Sequence, residues 1–90
     1  MAAPVVRASP LAAFLARARH CLEGRQPQLC EQVLIEAEVL QQKASARSAY
    51  PCQTLLLGVQ ADLVMHQLQA GRGAEAIADL QAVTRGCAGL

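Results

Sequence analysis

A chain of 90 residues with eight basic and seven acidic groups and a net charge of +1 is long enough for one domain and too short for two. Its near-neutral balance argues against the basic stripe of a nucleic-acid binder, and no apolar run reaches the roughly 18 residues of a membrane span. One phenylalanine, one tyrosine and no tryptophan within a 53% hydrophobic composition, much of it alanine and leucine, favour helix over sheet, so the expected class is all-α.

Residues 1–9 read as an N-terminal tail and 10–90 as a single helical domain. Residues 1–22 carry Arg7, Arg17 and Arg19 and no acid. That pattern also marks a mitochondrial presequence, which makes a small mitochondrial structural or assembly protein the alternative reading of the whole chain. Prolines break up residues 1–10 too much for a secretory signal.

Ser9-Pro10 opens a helix, with serine as cap and proline in the first turn. Over 10–23, Leu11, Phe14, Leu15, Ala18, Cys21 and Leu22 share one face, and Gly24 is the expected left-handed stop. Pro27 restarts the chain for a second helix to about Ala44, with Leu29, Cys30, Val33, Leu34, Ala37, Leu40 and Ala44 on its core arc. Ile35 and Val39 fall on the opposite side among Glu31, Gln32 and Gln42, where a simple amphipathic helix offers them no partner. Ser45 to Tyr50 reads as a polar connection, and Pro51 begins a third helix.

The third helix, about 51–70, carries two apolar arcs. Cys52, Leu55, Leu56, Val59 and Leu63 form the first; Leu57, Ala61, Val64, Met65 and Leu68 form the second, nearly opposite. A helix apolar on two sides is expected to be sandwiched. Gly71-Arg72-Gly73 makes a tight turn into a fourth helix, about 74–85, with Ala76, Ile77, Leu80 and Val83 on one face. The expected architecture is two antiparallel helical hairpins.

Residues suited to catalysis or metal binding are few. His20 and Cys21 are neighbours on a helix, diverge by about 100° and do not meet as base and nucleophile. His66 sits at the rim of a core arc, and Glu31, Glu36 and Glu38 read as a solvated face with Lys43 beyond. Cys21, Cys30, Cys52 and Cys87 contain no C-x-x-C pair and so no zinc pattern. With three of them on core arcs and no secretory signal, the cysteines are expected to be reduced in the cytoplasm. No enzyme activity, metal or cofactor is expected.

The stretch Gln69-Ala70-Gly71-Arg72-Gly73-Ala74-Glu75-Ala76-Ile77-Ala78-Asp79-Leu80 resembles the second half of a tetratricopeptide repeat. The resemblance implies that Gly71 is the turn glycine, Ala76 the small residue between helices and Leu80 a larger core residue. Val64 and Gln67 depart from the small and aromatic residues the family prefers, and the turns at Gly24 and Gly71 are further apart than the family's period of about 34 residues. In size, in its alanine, leucine and glutamine content and in its Tyr50-Pro51 restart, the chain also resembles the small cytosolic chaperone subunits of bacterial type III secretion. That likeness implies a protein that holds an amphipathic helix of a needle subunit, as part of a hetero-oligomer. The expected binding surface is Ile35 and Val39 with the second arc residues Leu57, Val64, Met65 and Leu68, recognising an amphipathic helix of another protein.

Overall fold

The computed structural model describes residues 9–90, so most of the N-terminal tail, and with it part of the presequence reading, lies outside the described residues. Four α-helices follow in order: α1 (Pro10–Glu23), α2 (Pro27–Ala46), α3 (Tyr50–Gln67) and α4 (Ala74–Gly86), with no strand among the described residues. The chain is all-α. No helix is long and apolar enough to cross a membrane.

The helix starts follow the sequence. Ser9 Oγ accepts a hydrogen bond from the Ala12 N–H at 3.0 Å, and Pro10, Pro27 and Pro51 each stand in a first turn, where a missing N–H costs nothing. The ends are less regular. Gly24 is extended, at φ −131°, rather than left-handed; Gln26, the residue that precedes Pro27, is extended as well, as a residue before proline is held to be. Both α2 and α3 close with a left-handed residue that is not glycine, Ser48 at φ 54° and Gln69 at φ 61°. The Ala49 N–H donates to Ala44 O and the Ala70 N–H to Met65 O, each at 2.8 Å, the six-to-one bond of a Schellman closure. Helix α3 therefore stops at Gln67, short of the expected 70.

Neighbouring helices run antiparallel. Arg17 reaches Glu36 between α1 and α2, Gln41 donates to Gln60 between α2 and α3, and Asp62 and Asp79 both face Arg72 beside α3 and α4. Helix α1 also packs against α4, closing the bundle. The core is Phe14, Val33, Leu56, Val59, Leu63 and Val83 with small residues between them; Ala18, Ala37 and Ala44 are completely buried and let the helices approach closely. The core arcs expected on all four helices are inside, with Leu15, Leu22, Leu29, Leu34, Leu55 and Ile77 half-buried at their edges. Ala76 and Leu80 are buried as well.

The cysteines differ from expectation. Cys21 pairs with Cys30 across the α1–α2 turn and Cys52 with Cys87 between the start of α3 and the end of α4, leaving no free thiol. Each does occupy a core position. Antiparallel neighbours place core cysteines at the same level, with Cα atoms 5.2 and 4.9 Å apart, within the range a disulfide spans.

Candidate protein-binding face

Two contacts orient α2. The Arg17 guanidinium donates to both oxygens of Glu36, from Nε at 3.0 and 3.1 Å and from Nη2 at 2.8 Å, marking the side toward α1; Gln41 donates to Gln60, marking the side toward α3. At about 100° per residue, the outer circuit from α3 round to α1 passes Leu34, Glu38, Glu31, Ile35 and Val39 in turn. Ile35 is 63% exposed and Val39 57%. Neither is covered by any part of the described chain.

Helix α3 is oriented the same way, by Gln60 toward α2 and by Asp62 toward Arg72 and α4. Between them, from α2 outward, lie Val64, Leu57, Leu68, Ala61 and Met65. All five are exposed, Leu68 at 70%. The second arc is thus an outer surface; the sandwich expected for α3 does not form within this chain, because α4 packs on the Asp62 side and α1 touches only the inner face. Tyr50, 58% exposed, extends the arc one heptad before Leu57. That seven-residue spacing is the sequence signal for it, and it is masked because Pro51 reads as the helix start and leaves Tyr50 in the preceding connection.

The six expected surface residues are therefore all exposed, on the outward sides of two adjacent helices. Leu57, Val64 and Leu68 lean toward α2, and Ile35 points straight outward from α2. Val39 and Met65 lean away, to the α1 and α4 margins. On α3 the positions 50, 54, 57, 61, 64 and 68 alternate spacings of four and three and hold tyrosine, threonine, leucine, alanine, valine and leucine. That is a heptad seam. Between Gln60 and Gly58, going round the outside, the arc carries no charged residue. The groove between α2 and α3 is polar, lined by Glu38, Gln41, Gln42, Ser45, Gln53 and Gln60.

A second concave region lies where the α1–α2 and α3–α4 turns meet, a cavity of about 530 Å³ bordered by Leu22, Arg25, Pro27, Cys30, His66 and Arg72. His66 Nε2 hydrogen-bonds Gly24 O at 2.8 Å and ties the two turns together, a structural role rather than an available ligand. Arg72 is committed to Asp62 at 3.4 Å, Glu75 at 3.0 Å and Asp79 at 3.7 Å. Asp62 is buried and neither carboxylate oxygen has a hydrogen-bond partner. Burial raises its carboxyl from 3.8 to about 6, the Asp79 carboxylate adding to the rise and Arg72 opposing it. Among the described residues no three His, Cys, Asp or Glu side chains converge in a way that would hold a metal ion.

The chain matches no known protein family, no curated protein and no solved structure.

Proposed function

We propose that this protein is a non-enzymatic interaction module or small chaperone subunit that takes up an amphipathic helix of another protein on the outer face of α2 and α3. The observation that carries the reading is the exposed, uncharged heptad seam of α3. Solvent-facing helix surfaces normally carry charge, and contiguous exposed aliphatic residues at heptad spacing suit a covering helix. A seam of 18 residues extends about 27 Å at 1.5 Å per residue and calls for a partner helix of about five turns. Sequestering such a helix would keep the partner from assembling early, and the sequence resemblance suggests type III secretion as the setting. The test compares tagged wild type with Leu57→Asp/Val64→Asp. Both positions are solvent-facing, so helicity and melting temperature should stay nearly constant while co-purification of the partner is lost. If the variant unfolds, or still captures the same partner, the face is not the binding site.

One observation favours the alternative setting. Two buried disulfides persist in oxidising compartments and are rare in the cytosol, which supports a small structural or assembly protein of an oxidising compartment, mitochondrial in the reading drawn from residues 1–22. Helix α1 supplies Leu11, Phe14, Ala18 and Cys21 to the core, so in that setting it is retained. Acid quenching of cells followed by maleimide labelling decides the compartment: four blocked cysteines agree with the oxidising setting, and four labelled ones return the protein to the cytoplasm.

A further inference from the structure

The same face also carries a charge pattern that bears on the bound helix, an inference that rests on the helix-binding function proposed for α2 and α3. The chain has seven carboxylate side chains. Glu36 pairs with Arg17, Glu23 with Arg19, and Asp62, Glu75 and Asp79 all face Arg72. Glu31 and Glu38 remain, both exposed and both without an ion-pair partner among the described residues. They are seven residues apart and so share one edge of α2. That edge lies between the Gln41–Gln60 contact and Ile35, and Glu38 borders the groove directly alongside Gln41 and Gln60. On the outward sides of α2 and α3 an exposed acidic edge, Glu31 and Glu38, thus runs beside an exposed, uncharged aliphatic edge, Leu57, Val64 and Leu68, with Glu38 at the polar groove between the two helices.

We infer that the occupant of this face is a cationic amphipathic helix. One edge is aliphatic and packs on α3; the other carries two lysine or arginine residues a heptad apart, opposite Glu31 and Glu38. Heptad spacing follows from the matching spacing on α2, since helices packed at about 20° keep register over several turns. A second copy of this chain does not supply such a helix: its aliphatic faces at α1 and α4 are inside its own core, its exposed α3 face has no cation, and its exposed α2 pair, Ile35 and Val39, has Lys43 alone beside it rather than two cations a heptad apart. An anionic lipid surface is disfavoured by the acidic edge, which repels it.

The probe is a pair of fluorescein-labelled 21-residue helical peptides with the same leucine seam, one with lysines and one with glutamates at heptad positions along one edge, titrated by anisotropy. Wild type should bind the lysine peptide at least tenfold more tightly at low salt, with the difference shrinking as salt rises. Since the protein's net charge is +1, non-specific attraction would favour the opposite peptide. Glu31→Lys/Glu38→Lys should reverse the preference, whereas Glu23→Lys/Glu75→Lys, with the same net charge change, should preserve it. Circular dichroism checks that both variants fold. Equal affinities for the two peptides, or reversal by the control variant as well, overturn the inference but leave helix docking standing. Failure of both peptides to bind, with or without self-association of the protein on sedimentation, overturns both.

Discussion

Asp62 is 1% exposed, on the side of α3 that faces α4, with the Arg72 guanidinium 3.4 Å away and Asp79 beyond it. In the unfolded chain its carboxyl gives up its proton near 3.8, and in the fold only near about 6. Between those values the native state binds more protons than the unfolded one. Stability contributed by the protonated carboxyl therefore falls as pH rises from about 4 to about 6 and is level above, the reverse of the trend for an ion-paired carboxylate. The shift corresponds to roughly 2–3 kcal/mol. Asp62→Asn keeps the shape and removes the buried charge, and Arg72 retains Glu75 and Asp79. Urea unfolding should show the variant about 1–2 kcal/mol more stable than wild type at pH 7, with the gap closing toward pH 4. A gap independent of pH would show that ionisation of Asp62 is not its cause. Helical periodicity puts Asp62 in a polar strip between two apolar arcs; that the strip turns inward depends on where α4 lies.

Among the elements, helix starts are legible in the sequence and helix ends are not. Prolines at 10, 27 and 51 and the serine at 9 act through their own chemistry, a fixed φ and a side-chain acceptor, so their effect is local and readable. The closures at Ser48 and Gln69 place ordinary residues in left-handed backbone, which costs roughly 1 kcal/mol each and is offset by packing of the helices on either side. No residue-type signal announces that. The apolar arcs are equally legible, since periodicity decides which residues share a face. Which arc of α3 is covered is not, and the expectation of a covered second arc fails for want of a fifth element among the described residues.

At the scale of the molecule, a small helical core is reinforced by one disulfide at each end of the bundle. Cys21–Cys30 closes a separation of nine residues and Cys52–Cys87 one of 35. On loop-closure entropy the shorter link stabilises by about 2.5 kcal/mol and the longer by about 4 kcal/mol. Replacing Cys52 and Cys87 by alanine should therefore lower the unfolding free energy more than replacing Cys21 and Cys30, by about 1 kcal/mol, as measured by urea denaturation without reductant. An equal or opposite order would mean that native packing around the sulfurs, rather than chain entropy, sets their contribution. The same antiparallel arrangement that aligns the cysteines leaves the outer sides of α2 and α3 uncovered, with Glu31, Glu38 and the α3 seam on one surface.

The sequence alone determined the class, the four helices and the residues of the core, because helix propensity, proline starts and periodicity act over a few residues. It also singled out Ile35, Val39, Leu57, Val64, Met65 and Leu68 as apolar residues that the core arcs did not need. Only the tertiary structure decided that these six stay exposed, that the cysteines pair, that Asp62 is buried, and that Glu31 and Glu38 are left unpaired while Glu36 is not. Each of those depends on which helix lies beside which and at what level. Such relations join residues 9 to 35 positions apart, beyond the reach of any local pattern.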